Sequence, residues 1–225
     1  MNQPENWYQQ LTLQFADGKV ETLFLDMSRS GRHRPRPNAM PAEWTKLDFH
    51  KCPGCTLQVG GYCPAALSLE ETLLCLREHK SFEIVTASAM DPEERTTSVK
   101  WPLQKVGAAF VQIAVFCSGC PVGSRFRPML RDLRVFATSR ELSKHLVGKH
   151  LLQHKADAAA STQAITAALQ PLHETFSRLF KRLQHVPMEA SQDAIPNSIV
   201  LMHSMTMHLE TMVGKLIEEI MGELR

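Results

Sequence analysis

Near the N-terminus, apolar and polar positions alternate in two short runs, which is the pattern of β-strands with one buried face. The alternation is regular in the first run and looser in the second. Asp17-Gly18 separates the runs and favours a tight turn, because a glycine adopts positive φ without strain. Residues 7–27 are therefore predicted to form a β-hairpin. Its apolar positions are Leu11, Leu13, Phe15, Val20, Leu23 and Leu25.

The central part of the chain mixes helical and strand-like periods. Leucines on or near one side predict a helix over residues 65–78, and Cys75 within it is interpreted as a small core residue. The runs SFEIVTAS and RTTSVKW predict two strands, with a turn at MDPEE between them. Residues 102–116 are almost continuously apolar, and their length and Gly-Ala-Ala content favour a buried helix over a strand.

The C-terminal part of the chain has a helical period throughout. Thr138 or Ser139 is the predicted N-cap of a helix that reaches about residue 160, with Glu141 in its first turn. A second apolar stripe, with gaps that alternate between four and three residues, covers residues 165–186. Pro171 interrupts this stripe and is expected to kink the helix or to start a new one.

Residues 187–196 form a predicted connector to a last helix whose apolar face is rich in methionine. Two facing stripes joined by a short connector predict an antiparallel helical hairpin. Stripes this long also suit a homodimer through the C-terminal helices, although the same stripes could form the core of a single chain. The apolar face of the last helix contains Met202, Met205, Leu209, Met212, Leu216 and Ile220.

Together these elements predict an α+β fold. A small mixed N-terminal part of strands and helices is followed by a C-terminal helical hairpin or bundle. We expect two domains, a metal-stapled α+β domain over residues 1–136 and a helical domain over residues 137–225.

Composition and charge narrow the function classes. The 225 residues carry a formal net charge of +2, with 44% hydrophobic and 21% charged residues, which gives no global signal for nucleic acid. No apolar run approaches the roughly 20 residues of a membrane span. The N-terminus has no basic region followed by an apolar stretch, so a cytoplasmic location is expected, where thiols stay reduced.

Five of the six cysteines fall in two clusters. Cys52 and Cys55 form a CxxC pair with Cys63 shortly beyond, and Cys117 and Cys120 form a second CxxC pair. Two such pairs supply four thiolates, the set that a closed tetrahedral zinc site uses. Spacing alone leaves five candidates for four positions.

Proline follows Cys52, Cys63 and Cys120, which suits ligand loops, whereas Cys117 ends the apolar helix and could simply pack there. We therefore favour Cys52, Cys55, Cys63 and Cys120 as metal ligands, with Cys117 as the alternate. Zinc is the favoured ion and an iron–sulfur cluster is the alternative. Unliganded thiols and a dithiol redox pair are the other interpretations, but CPGC lacks the strand-then-helix setting of exchange motifs.

From Trp44 onward the chain resembles a bacterial family described only as a domain of unknown function. The matching blocks are WTKLDFHKCPGC, YCPAAL, SGCP followed by FRPM, and DAIPNSIVLMHSM. The resemblance spans most of the chain, including the opening hairpin, and its cysteine blocks are more specific than its helical part. It implies a common metal-bound fold and no particular activity.

Carried over by position, the recurring cysteines of that family fall on Cys52, Cys55, Cys63 and Cys120. The chain departs from the family pattern at Thr56, where proline is expected, and at Cys117, where a hydroxyl or small residue is expected. After FRPM it has LRDLRVFA in place of an aromatic and proline-containing stretch.

Other charged clusters are weaker candidates. Arg125, Arg127 and Arg131 follow the second cysteine cluster and are candidate anion-binding residues, although a solvated basic face explains them as well. The arginines of the Pro-rich stretch 28–41 could touch nucleic acid, but no aromatic residues are interleaved with them.

No catalytic motif such as GxSxG or a P-loop occurs in the chain. The leading interpretation is a non-enzymatic, metal-stabilised module that binds an unknown ligand or protein partner or has a regulatory role. The alternatives are a thiol- or metal-responsive redox sensor, with Cys117 as a spare thiol, and an iron–sulfur electron-transfer protein.

Overall fold

The computed structural model describes residues 8–26, 40–76, 78–91, 93–131, 133–186 and 193–223. Within these ranges the chain forms one four-stranded sheet and a larger set of helices, so the predicted α+β class is confirmed. The arginines of the Pro-rich stretch lie outside the described residues. They are Arg29, Arg32, Arg34 and Arg36.

The strands are β1 (Tyr8–Gln14), β2 (Val20–Asp26), β3 (Ile84–Met90) and β4 (Thr96–Pro102). All three strand pairs are antiparallel, and the order across the sheet is β2-β1-β3-β4. The predicted hairpin and the predicted second strand pair both form. Gly18 has a φ of +87° in the first turn, which is the conformation that favoured glycine there.

One face of the sheet is buried and the other is open to solvent. Leu11 pairs with Leu23 on β2 and with Ala89 on β3, and these side chains are buried. On the opposite face the Ser88 and Ser98 hydroxyls are 2.8 Å apart. The two-residue period of a strand therefore divides apolar from polar positions as the sequence indicated.

The helices are α1 (Pro64–Leu76), α2 (Leu103–Cys117), α3 (Ser139–Gln153), α4 (Ala158–Leu183) and α5 (Ala194–Glu223). Short 3₁₀ segments cover Glu43–Thr45 and Gly123–Arg131.

Helix α2 is the centre of the molecule. Nearly all of its side chains are buried, because α1, α5, the strands β3 and β4 and the second 3₁₀ segment all pack against it. This surround explains why residues 102–116 are apolar on every side rather than along one stripe. Gly107 lets α5 approach closely, since a Cβ atom there would lie 2.1 Å from the Ser198 Oγ.

The C-terminal helices share the core of the N-terminal part. Helix α5 packs against α4, α3 and α2. Ser81 donates its backbone N–H and its hydroxyl to the Asp193 carboxylate, each at 2.8 Å, and so ties the loop before β3 to the start of α5. Residues 1–136 and 137–225, predicted as two domains, thus contribute to one hydrophobic core.

One detail of the predicted helices is wrong, and one of two alternatives is excluded. Helix α3 ends at Gln153 rather than near residue 160, because Lys155 and Ala156 have φ values of 52° and 62° and the chain turns there. Pro171 lies inside α4 and does not start a new helix. No helix in the described ranges combines the length and the apolar character needed to cross a membrane.

Candidate metal centre

One small cavity is lined by four cysteine side chains. They belong to Cys52, Cys55, Cys63 and Cys120, the same four residues that the sequence analysis favoured as ligands. The cavity has a volume of about 10 Å³, which is room for roughly one water-sized atom. The other residues that line it are Leu47, Leu57, Pro64, Pro121, Val122, Thr175, Leu179 and Arg182.

The loop that carries the first three cysteines is held against the segment around the first 3₁₀ turn. The Cys63 N–H donates to the Thr45 carbonyl at 2.7 Å, and the Leu47 N–H donates to the Gly61 carbonyl at 2.8 Å. These bonds bring the end of the loop back beside its beginning. Cys63 is thereby placed near the CxxC pair by backbone hydrogen bonds.

The CxxC pair itself forms a tight turn in which the Cys55 N–H donates to the Cys52 carbonyl at 3.0 Å. Gly54, between them, packs closely on other parts of the chain. A Cβ atom there would lie 3.5 Å from the Val122 Cγ2 and 3.8 Å from the Pro171 Cβ. The turn therefore lies between the second 3₁₀ segment and α4.

Two of the sulfur atoms lie at the starts of helical segments. Cys63 directly precedes α1, and the backbone N–H groups of Ala65 and Ala66 hydrogen-bond its sulfur. The Cys120 sulfur accepts hydrogen bonds from the backbone N–H groups of Val122 and Gly123. The first N–H groups of a helix lack partners within the helix and carry partial positive charge, so both positions suit a thiolate.

Burial governs the acidity of these thiols. Burial, with a smaller contribution from the neighbouring Cys63 thiol, raises the pKa of Cys52 to about 12 and that of Cys120 to about 11. Burial also raises the pKa of Cys63. The Thr175 hydroxyl hydrogen-bonds the Cys52 sulfur and lowers the pKa of that thiol, but burial outweighs it. Deprotonation of Cys52, Cys63 and Cys120 near neutral pH is therefore unfavourable unless positive charge lies close to their sulfur atoms.

Arg182, on α4, reaches the same cavity and is only 1% exposed. Its Nη1 donates to the carbonyl oxygens of Trp44 at 2.7 Å and Lys46 at 2.5 Å, and its Nη2 donates to that of Leu47 at 3.0 Å. Its Nε has no hydrogen-bond partner among the described residues. One side chain thus ties α4 to the segment that precedes the cysteine loop.

Sequence analysis missed Thr175 and Arg182. They are seven residues apart, so they lie on one face of α4, and both are buried. The sequence did contain one signal: both residues lie beside the apolar stripe of that helix. An arginine at such a position is rarely buried unless it has a specific partner.

The described side chains do not yet form a finished site. As they stand, no group of three or more His, Cys, Asp or Glu side chains in the described ranges is placed to hold an ion. A cysteine sulfur moves by rotation about the Cα–Cβ bond alone, with no change in the backbone. Ligation would therefore require the thiols to rotate toward the centre of the cavity.

The remaining sequence candidates do not line the cavity. Cys117, the alternate ligand, is 3% exposed at the end of α2, and Cys75 is half-buried on α1. Arg125 is exposed and Arg127 is half-buried, while the side chain of Arg131 lies outside the described part. Anion binding by these arginines stays a prediction.

The model of one protein family, described as Domain of unknown function (DUF6901), matches residues 10–225. Both cysteine clusters, the C-terminal helices and all of the sheet except the first two residues of β1 lie within the matched range. No curated protein and no solved structure matches the chain significantly.

Proposed function

The chain belongs to the family Domain of unknown function (DUF6901), and on that premise we propose that it is a non-enzymatic module built around one zinc ion. Cys52, Cys55, Cys63 and Cys120 hold the ion as thiolates. The ion stabilises the fold on which an unknown ligand or protein partner binds or a regulatory signal acts. The proposed setting is the cytoplasm, where thiols stay reduced and available to metal.

The observation that carries this proposal is the meeting of four thiols at one cavity from two distant parts of the chain. Three come from the loop before α1, and the fourth comes from the segment after α2. Structural zinc sites are built in the same way, from four ligands on separate knuckles, and they contribute directly to the free energy of folding.

The polar groups around the sulfur atoms support thiolates rather than thiols. The backbone N–H groups at Cys63 and Cys120 can only donate hydrogen bonds. A thiolate accepts such bonds well, whereas a thiol is a weak acceptor. Donors around sulfur are therefore what a metal-bound site needs.

The size of the cavity favours a single ion over an iron–sulfur cluster. A volume of about 10 Å³ suits one atom, whereas a cluster places several iron and sulfide atoms between the same ligands. The electron-transfer alternative is therefore less well supported than the zinc site.

A thiol- or metal-responsive sensor is the second candidate, and the exposure of the CxxC pair favours it. Cys52 and Cys55 are only half-buried, while Cys117, the proposed spare thiol, is buried. An oxidant such as peroxide would take two electrons from a pair of thiolates and, with two protons, be reduced to water. The two sulfur atoms would join in a disulfide, and the ion would be released because it has lost two of its ligands. Loss of zinc under mild peroxide, with a new disulfide, would distinguish a sensor from a purely structural site.

Elemental analysis of protein purified without added metal tests the proposal. We expect a colourless protein with one zinc per chain. Cys120→Ser should lower the metal content, the melting temperature and the solubility together, because it removes a ligand. Cys75→Ala is the matched control and should keep its zinc. A brown protein, or a Cys120→Ser variant with unchanged metal content and melting temperature, would contradict the assignment.

A further inference from the structure

Arg182 is a buried charge without a counter-charge. Its guanidinium binds three backbone carbonyl groups, and no carboxylate of the described residues lies within ion-pair distance of it. Carbonyl groups and the C-terminal end of α4 offer only partial negative charges. An isolated buried cation is costly, so the protein needs a compensating anion close to this position.

The cavity that Arg182 lines gathers four groups able to become anions, the thiols of Cys52, Cys55, Cys63 and Cys120. Four thiols there are neutral as long as they keep their protons. Binding of a divalent ion releases four protons to solvent and leaves a centre with two net negative charges. The positive charge of Arg182 favours the thiolate forms of both Cys52 and Cys63.

We propose that Arg182 is the counter-ion of the metal centre and that it couples ion binding to the docking of residues 44–47 on α4. The inference rests on the proposed function, because it requires a bound ion. Arg182 acts as a positioning residue and touches no metal itself. When the centre is loaded, charge attraction and the three carbonyl bonds act together; when it is empty, only the carbonyl bonds remain.

Two substitutions separate charge from hydrogen bonding. Arg182→Lys keeps the positive charge and loses the planar fork of donors, whereas Arg182→Gln keeps donors and loses the charge. We expect Arg182→Gln to weaken zinc binding by about tenfold or more, the range found for groups that support metal ligands. Arg182→Lys should stay within about threefold of the wild-type affinity. Competition with a chromophoric zinc chelator, on the full chain, measures both.

A second measurement compares the two metal states. Amide hydrogen exchange of residues 44–47 should slow strongly when zinc binds to the wild type, and this slowing should be lost in Arg182→Gln and kept in Arg182→Lys. If Arg182→Gln is recovered only as aggregate, Arg182→Lys decides alone. Retained zinc affinity together with retained slowing supports the proposal, and a tenfold loss of affinity in that variant overturns it.

The outcomes distinguish this inference from the proposed function. A wild-type protein that binds no zinc overturns both. A protein that binds zinc, but loses the same affinity in the lysine and glutamine variants, overturns only the counter-ion role, because the carbonyl bonds alone would then explain the burial of Arg182.

Discussion

At residue 123 the second 3₁₀ segment passes so close to α2 that a Cβ atom would lie 2.0 Å from the Val115 carbonyl oxygen. Backbone atoms cannot move aside as a flexible side chain can. The same residue presents its N–H to the Cys120 sulfur, so its position also matters for the cavity.

Gly123→Ala is expected to lower the free energy of unfolding by about 2–3 kcal/mol, because the added methyl group overpacks a rigid contact. Urea denaturation measures the change. Gly148→Ala is the control: Gly148 lies in α3 with nothing within 4 Å of the added Cβ. That variant should gain about 0.5–1 kcal/mol from helix propensity. Equal stability of the two variants would show that the close approach at residue 123 is relaxed in solution.

The four cysteines of the cavity could be named from the sequence because each lies among loop-forming prolines and glycines, whereas Cys117 ends an apolar helix. Arg182 could not be named. Its partners are the backbone carbonyl groups of Trp44, Lys46 and Leu47, and a carbonyl group is the same in every residue. Sequence patterns therefore reveal ligands more readily than the groups that support them.

At the scale of single elements, α3 has the best-defined start. The Thr138 hydroxyl accepts the Glu141 N–H at 3.2 Å, and the Glu141 carboxylate accepts the Thr138 N–H at 2.8 Å. Arg134 also donates to the Glu141 carboxylate. The predicted N-cap is thus confirmed as Thr138, in a reciprocal capping box.

The Thr138 backbone N–H, followed by the Arg134 guanidinium, lowers the pKa of Glu141 to about 2 from its ordinary value of 4.5. A carboxylate with a lowered pKa stabilises the folded state fully above 4.5, and this contribution is lost as the pH falls from 4.5 toward 2. Glu141→Ala should therefore lower stability by about 0.5–1 kcal/mol at pH 7 and by progressively less below pH 4.5.

Melting temperatures of wild type and Glu141→Ala across this pH range test the prediction. Glu141→Gln, which keeps an acceptor oxygen but cannot titrate, is the control: its difference in melting temperature from Glu141→Ala should not change across this pH range. A gap between wild type and Glu141→Ala that stays constant down to pH 3 would contradict the role of the carboxylate.

The errors at the element scale have local causes. The apolar and polar pattern of residues 139–160 continues through Lys155 and Ala156, so periodicity alone could not place the turn there. Pro171 was expected to interrupt a helix, yet α4 begins as early as Ala158 and continues past it. Packing along the rest of a long helix outweighs the loss of one backbone hydrogen bond.

At the scale of the whole molecule, α5 presents apolar side chains to solvent. Val200 is 43% exposed, Leu201 is 40% exposed and Met207 is 52% exposed. Val200 and Met207 are seven residues apart and so share one face of the helix. This face is not the methionine-rich stripe from which the sequence analysis inferred a homodimer, because Met202, Leu209 and Leu216 of that stripe are buried in the chain's own core. The exposed apolar residues on this other face are a separate reason to expect a homodimer through α5.

We expect the protein to be a dimer at micromolar concentration and the double variant Val200→Glu/Met207→Glu to be a monomer, because two charges per chain would be buried in the interface. Analytical ultracentrifugation measures the mass. Leu152→Glu, at an 82% exposed position at the end of α3, should leave the dimer intact. A wild-type protein that is a monomer at this concentration would contradict the prediction that α5 forms a dimer interface.

Much of the element order was predictable because burial repeats with the period of each element. How the elements pack against one another was less predictable. Helix α2 is apolar on every side, which predicts that it is buried but does not predict which elements pack against it. The close contact between Gly107 and Ser198 joins two positions far apart in sequence, so no local pattern could have predicted it. The division near residue 136 was placed where the helical part was predicted to begin, and the core contains residues from both sides of it.

The order of these groups along the chain has a consequence for biosynthesis. The four cysteines of the cavity belong to the first 120 residues, whereas Thr175 and Arg182 belong to a helix made later. During translation, all four cysteines therefore leave the ribosome well before the part of α4 that lines the other side of the cavity. We therefore expect the cysteine-bearing residues, expressed without α4, to leave one side of the cavity open to water.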